Sequence, residues 1–170
     1  MTTVDTHPVI AGESVTIRPM HPADSGLEDE FVRNLSTQTK HYRFLGGVKN
    51  LTPEELKRLC DVDGRHSMAF IATVQRDGRE TQIGVSRYAE RPSDGVGEMA
   101  VTVADAWQHK GLGLLLTKEL FAYARTHGVK QLYSVDLADN VAMRELARDL
   151  GMSVRRDPDD TNQVIYSLTL

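Results

Sequence analysis

Hydrophobic and polar positions follow two periods along this chain. Alternation in Val15-Thr16-Ile17-Arg18, stopped by Pro19 with its missing N–H, predicts a first strand. Residues 67–75 and 81–89 read as two more, and Asp77-Gly78 between them is a hairpin signal that pairs them antiparallel. Arg91-Pro92-Ser93-Asp94-Gly95 predicts a turn into residues 96–103, a run rich in β-branched side chains. Residues 131–136, 152–156 and 164–168 complete the strands, with the polar turn Asp157-Pro158-Asp159-Asp160 between the last two.

The helical period fills the gaps. Asp24 or Ser25 caps a helix whose Leu27, Phe31, Val32 and Leu35 share a face, ending near Ser36. Residues 37–47 carry Lys40-His41-Tyr42-Arg43-Phe44 and end in Gly46-Gly47, which predicts a helical turn feeding a mobile loop. Thr52-Pro53-Glu54-Glu55 reads as a capping box with proline at the first helical position, turning Leu56, Leu59 and Cys60 inward. Leu112, Leu115, Leu116, Leu120 and Tyr123 line one side of a later helix, with Leu114 and Phe121 on another. That helix is expected to be buried on more than one face, and Gly128 ends it. Asp139 or Asn140 caps a last helix with Met143, Leu146, Ala147 and Leu150 at helical spacing, closed by Gly151. A strand meander followed by strand, helix, strand, helix, strand predicts a mixed rather than a purely parallel sheet.

Between residue 103 and the later helix lies the densest chemical signal, Gln108-His109-Lys110-Gly111-Leu112-Gly113. The first turn of a helix leaves N–H groups without partners and gathers partial positive charge beside them, so an anion satisfies both. Gly111 and Gly113 let a diphosphate come close to that backbone; their plainer role is to let a helix start tightly against a sheet. A dinucleotide fingerprint needs a third glycine where Leu116 stands, and no G-x-x-x-x-G-K-[ST] loop is present. Gly84-Val85-Ser86-Arg87-Tyr88 is not G-x-S-x-G, so a serine hydrolase is unsupported.

Gln108-x-x-Gly111-x-Gly113 after a strand, Asn140 opening a later helix and Leu150-Gly151-Met152 closing it resemble the GNAT N-acetyltransferase superfamily over nearly the whole chain. Within it, Glu98-Met99-Ala100-Val101, Gly111-Leu112-Gly113-Leu114-Leu115-Leu116, Tyr123-Ala124-Arg125-x-x-Gly128 and Asn140-x-x-Met143-x-x-Leu146-Ala147 are similar to the catalytic domain of bacterial Pat-type protein-lysine acetyltransferases. The resemblance implies the α+β GNAT fold: a mixed, mostly antiparallel sheet of about six to seven strands, flanked by about four helices in α/β/α layers. It implies acetyl-CoA as co-substrate. A splayed strand would free the main chain of Val101 and Val103 for the pantetheine amides, and Val101 N–H would meet the oxyanion. The diphosphate would follow Gln108 in the motif, on His109, Lys110, Gly111, Leu112, Gly113 and Leu114. Asn140 would contact the pantetheine arm, cap its helix, or do both.

Glu98 matches the family's glutamate general base, the alternative being a polar residue on an exposed strand face. Loops 37–50 and 157–162 would wall the acceptor site. Tyr42, Arg43 and Phe44 fall in the first of them, with core anchoring the alternative for Tyr42 and Phe44. The family's tyrosine seven residues after the asparagine is Ala147 here, which leaves water, Tyr133 or Tyr166 to protonate the departing thiolate. The resemblance thus implies an N-acetyltransferase acting on a primary amine, with a protein lysine as favoured acceptor. Its alternatives are a small amine such as a polyamine, amino acid or antibiotic, an acyl-CoA sensor without turnover, and a nucleotide-binding regulatory domain.

Composition narrows the setting. A length of 170 residues suits one domain, expected over residues 13–170 after a flexible leader of residues 1–12, with no internal repeat or linker. A net charge of −4 supplies no basic field for nucleic acid. Cys60 is the only cysteine and the histidines are scattered, so no metal is predicted. With no signal peptide and no long apolar run, the expectation is a cytoplasmic protein away from the membrane, either monomer or homodimer.

Overall fold

The structure, a computed structural model, describes residues 4–47, 50–91 and 93–170. The chain opens on a short hairpin, β1 (Val9–Ile10) and β2 (Glu13–Ser14), and continues into β3 (Thr16–Pro19). Thr6 bridges Ile17, Val15 N–H donates to the Pro8 carbonyl at 2.9 Å, and Ile10 is buried. From Thr6 onward the expected flexible leader is therefore corrected to anchored chain, because apolar contacts at Ile10 and Val15 tie it to the sheet. Residues 1–3 of that leader lie outside the described residues.

Helix α1 (Ser25–Arg33) stops short of Ser36. Asp24 does not cap it by side chain; its carboxylate accepts two guanidinium N–H groups from Arg18, each at 2.9 Å. Helix α2 (Thr37–Arg43) is a full element where a single turn was expected, because Ser36 Oγ accepts the Thr39 N–H at 3.1 Å. Val48 and Lys49 of the loop beyond it lie outside the described residues. Helix α3 (Pro53–Cys60) has the expected capping box: Glu55 N–H donates to Thr52 Oγ1 at 3.2 Å, and Thr52 N–H donates to Glu55 Oε2 at 2.8 Å.

Strands β4 (Ser67–Arg76) and β5 (Arg79–Glu90) form the expected hairpin, with Asp77 at φ 53° and Gly78 at φ 74°, both on the positive side as a two-residue hairpin turn favours. Then come β6 (Val96–Val103), a 3-10 turn at Asp105–Trp107, α4 (Leu112–Thr126), β7 (Gln131–Leu137), α5 (Val141–Asp149), β8 (Ser153–Arg156) and β9 (Gln163–Thr169). Pro92, in the turn before β6, lies outside the described residues. The main sheet runs β3-β4-β5-β6-β7-β9-β8, and every neighbouring pair is antiparallel except β6 with β7. This is the expected mixed α+β sheet, seven strands wide, with five helices because α2 adds one to the expected set.

Strand β4 explains the layers. Its Met68, Phe70, Ala72 and Val74 join Leu112, Leu116 and Leu120 of α4 in one core, while Ala69 and Ile71 join Phe31, Val32, Leu35 and Cys60 on the opposite face. Helices therefore cover both faces, the α/β/α arrangement that a near-continuous apolar strand requires. Gly84 lets α4 approach β5 closely, since a Cβ there would lie 2.9 Å from Leu116 Cδ1. Buried Ser86 adds a hydrogen bond from its Oγ to the Leu116 carbonyl at 2.9 Å. Leu115 corrects the expected inward face: it is 37% exposed, because Leu112, Leu116 and Leu120 already fill the stripe that meets the sheet. Among the described residues no helix is long and apolar enough to cross a membrane.

Leu116 has no exposed surface, so Leu116→Ala should destabilise the fold by about 2–5 kcal/mol. A urea midpoint indistinguishable from that of the parent would contradict this packing.

Candidate active site

Strand β6 pairs with β7 only at Val96, Gly97 and Glu98, opposite Gln131, Leu132 and Tyr133. Beyond Glu98 the two strands part, while β6 stays on β5 as far as Val103. Ala104 N–H donates to the Ile83 carbonyl at 2.8 Å, which fixes the alternation of the ladder. Residues 98, 100 and 102 turn their peptide groups toward β5, and Val101 and Val103 turn theirs toward the opening. A cleft of about 590 Å³ occupies that opening, lined by β6, β7, α2, the first turn of α4 and the length of α5. Val101 leans on Met143, Ala147 and Tyr166, so α5 backs the cleft with an apolar cluster.

At one end lies the start of α4. Gly111 holds φ at 86° as its N-cap, a conformation that strains any residue with a Cβ. Leu115 N–H makes the bond to the Gly111 carbonyl at 3.2 Å, so the N–H groups of Leu112, Gly113 and Leu114 precede the helical ladder. A Cβ on Gly113 would meet Val103 Cγ2 at 3.6 Å, an ordinary contact. Internal packing thus does not demand glycine there, and the bare backbone borders the cleft. His109, with φ at 61°, and Leu114 border it as well.

Two expected cofactor residues are otherwise engaged. Lys110 is corrected: its Nζ donates to the Ala106 carbonyl at 2.7 Å and lies over the Trp107 ring at 5.6 Å, outside the set that lines the cleft. An ammonium that finds a carbonyl and an aromatic face on its own loop has little reason to extend into the opening. Gln108 borders the cleft, but its Nε2 donates to the Val103 carbonyl at 3.0 Å and to Thr39 Oγ1 at 3.2 Å, so it braces the loop and occupies one outward carbonyl of β6.

Sequence reasoning missed Asp105. Its Oδ2 accepts the Ser36 N–H at 2.9 Å, and its Oδ1 accepts Ser36 Oγ at 2.6 Å and Thr39 Oγ1 at 2.8 Å. Burial pushes its carboxyl up, but the Ser36 and Thr39 hydrogen bonds outweigh that and hold it below its ordinary value. Asp105 and Gln108 together fasten the first turn of α2 to the loop before α4. No motif spans that distance in sequence; the only available signal was Ser36-x-x-Thr39, which looks like an ordinary helix start.

The other end carries the charge. Exposed Glu98 stands at the last β6–β7 pair, and burial, then the Glu98 charge, raise the pKa of the Tyr133 phenol opposite it. Half-buried Arg43 and Asp136 border the same cleft. Ser134 Oγ donates to Asp136 Oδ2 at 2.6 Å, yet burial raises this carboxyl. Tyr42 O–H reaches the Asp139 carbonyl at 3.4 Å, linking α2 to the start of α5. Phe44 is corrected from acceptor wall to core: it packs with α1 and α3, where its ring has apolar neighbours. Asn140 does cap α5, accepting the Met143 N–H at 3.1 Å, and also borders the cleft. Tyr166 is buried against Ala147 and Met143, and neither it nor Tyr133 is among the described residues that line the cleft. Nor does any of residues 157–162 line it, which corrects the second expected wall: α5, from Val141 to Asp149, borders the cleft instead. Among the described residues, no group of three His, Cys, Asp or Glu is arranged to hold a metal ion.

A sequence model of the acetyltransferase (GNAT) domain matches residues 14–153. The chain belongs to the GNAT acetyltransferases. It is 46% identical over 159 residues to acetyltransferase PA5475 of Pseudomonas aeruginosa, covering 94% of this chain and 86% of that protein. It is 30% identical over 151 residues to acetyltransferase Pat of Mycolicibacterium smegmatis, covering 88% of this chain and 44% of that longer protein. The crystal structure of the GNAT domain of S. lividans PAT has the same fold, with a TM-score of 0.86 over 98% of this chain and 97% of that one at 23% identity. This GNAT acetyltransferase is accordingly an acyltransferase with an amine acceptor, from a family that generally uses acetyl-CoA.

Asp105→Asn should cost this GNAT acetyltransferase about 1 kcal/mol at pH 7, the low end for a charged acceptor because the side chain is exposed. The native carboxyl lies below the ordinary 3.8, so its contribution is complete above that value and fades as pH falls through the lower native value. Denaturation at pH 7 and at pH 3 should find the gap between variant and parent narrowing in acid. A gap that widens there would reverse the sign.

Proposed function

We propose that this acetyltransferase moves an acetyl group from acetyl-CoA to a primary amine, with a protein lysine as the favoured acceptor and Glu98 as general base. One observation carries the reading: Glu98 and the uncovered first turn of α4 open onto the same cleft, at opposite ends of the unpaired stretch of β6. The residues present fit the co-substrate. The N–H groups of Leu112, Gly113 and Leu114 supply donors for a diphosphate, and Gly113 leaves room that a Cβ would fill. Peptide groups of Val101 and Val103 supply an unpaired edge of the kind that pantetheine amides can extend, less the Val103 carbonyl that Gln108 already occupies. His109, Gly111 and Asn140 border the same path. Acetyl-CoA, when bound, supplies an acyl group already activated as a thioester.

An alkylamine with a pKa near 10 is almost wholly protonated at neutral pH. Glu98 accepts that proton, directly or through a water, and the exposed carboxylate then returns it to solvent. The Val101 N–H turns toward the reacting carbonyl and stabilises the oxyanion as charge develops. Ala147 stands in the place of the family tyrosine, and among the described residues neither Tyr133 nor Tyr166 lines the cleft, which favours water as the proton donor to the leaving thiolate. A protein acceptor is supported by the similarity to Pat and by the cleft of about 590 Å³ bordered by α2. The match over residues 14–153 supports residues 13–170 working as one catalytic unit.

Glu98→Gln should lower turnover at pH 7 by about 10²-fold while acetyl-CoA still binds. Unaltered turnover would remove Glu98 from the mechanism. Gly113→Ala tests the cradle separately. The variant should fold at least as stably as the parent, since alanine suits a helix and its Cβ has room, but should bind acetyl-CoA about 10-fold more weakly by calorimetry. Equal affinity would show that the diphosphate sits elsewhere.

A further inference from the structure

Inward-facing guanidinium groups of this protein are paired, with one exception. Arg18 binds Asp24 at 2.9 Å and Glu80 at 3.0 Å, and Arg87 binds Glu28 at 3.0 Å and the Leu59 carbonyl at 2.8 Å. Arg43 differs. Its guanidinium lies over the Phe44 ring at 5.3 Å, and it makes no hydrogen bond or ion pair with any described residue. Loss of solvent, then the nearby Arg87 charge, lower its pKa to about 10. Glu28, Glu98 and Asp136 act on it only at longer range. Glu28 is already held by Arg87, and Asp136, whose pKa burial raises, already accepts the Ser134 hydroxyl. Partial loss of water without a hydrogen-bonding partner is costly for a cation, so half-buried Arg43, at the edge of the cleft, offers an anion a favourable site.

The shape and position of the group define that anion. A guanidinium whose contact is the face of a ring keeps its N–H groups available, and its planar fork matches a carboxylate in bidentate fashion. The diphosphate end of the cleft is far away: Val103, against which Gly113 packs, stands five residues along β6 from Glu98, about 16 Å. Arg43 feels the charges of Glu98 and Asp136, which border the same cleft, and so belongs to the reacting end.

We propose that Arg43 forms a carboxylate-binding subsite beside Glu98, and that one of the two substrates carries the carboxylate that fills it. The inference rests on acyl transfer taking place in this cleft. On the acceptor, the carboxylate is that of a free amino acid or of an acidic residue next to the lysine, which sets ammonium against Glu98 and carboxylate against Arg43. On the donor, it is the far end of a dicarboxylic acyl group.

The test uses matched acidic and neutral probes with the parent, Arg43→Gln and Arg43→Lys. With acetyl-CoA, kcat/KM is compared for a lysine peptide with a neighbouring Glu or Gln, and for an amino acid or its amide. Without any acceptor, calorimetry compares succinyl-CoA with butyryl-CoA. The parent should favour the acid in at least one pair by about 30-fold, Arg43→Gln should reduce that preference to below about 3-fold, and Arg43→Lys should restore part of it. The pair that responds identifies which substrate bears the carboxylate. Absence of any acid preference in the parent, or a preference that survives in Arg43→Gln, overturns the subsite. A parent inactive on every acceptor would contradict the proposed acetyl transfer while the calorimetric pair still reads the subsite, and a thermal midpoint for each variant separates loss of binding from loss of fold.

Discussion

Strand β6 divides its hydrogen bonds unequally, and the site depends on that division. On one edge it keeps β5 along its whole length; on the other it holds β7 for only three residues and then stands unpaired. A strand free on both edges would not keep its shape, and one paired on both would have nothing to offer a ligand. Held by β5, β6 presents Val101 and Val103 in a fixed direction. The apolar cluster of Met143, Ala147 and Tyr166 fills the space behind Val101, so the gap remains a groove instead of collapsing.

Two walls of that groove come from parts of the chain far apart in sequence, and polar contacts join them. Ser36 and Thr39 of α2 share Asp105, and Gln108 ties the same threonine to the Val103 carbonyl. The wall beside the charged end and the loop before α4 are thus one assembly, with little freedom to drift relative to each other. Such precision suits acyl transfer, where the separation of the reacting atoms governs the rate.

Charge is divided just as sharply. Among the described residues no lysine or arginine borders the cleft at the α4 end, where Lys110 has folded back on Trp107, so the donors there are backbone amides and the helix dipole. Ionisable side chains collect at the opposite end around Glu98, Arg43 and Asp136. The two ends of one groove therefore offer different electrostatic surroundings, as the proposed diphosphate and amine would require.

Local pattern determined most of the skeleton. The Asp77-Gly78 hairpin, the Thr52 capping box, the span of β6 and the helix that follows Gly111 depend on neighbours a few residues away, and so they are legible in the sequence. The Gln108-x-x-Gly111-x-Gly113 spacing and Glu98 were legible for the same reason, together with their likeness to a known family. What depended on distant chain was not. Ser36 became the cap of a whole helix, Lys110 turned away from the cleft, Phe44 went into the core, and Asp105 became a joint between α2 and the loop. Arg43 was legible as part of the expected acceptor wall, but not as a half-buried guanidinium left without a hydrogen-bonding partner among the described residues. Periodicity and capping record what a residue does to its own backbone, whereas the direction of a long polar side chain is decided by whichever groups packing brings within hydrogen-bond reach, and only the tertiary structure fixes those.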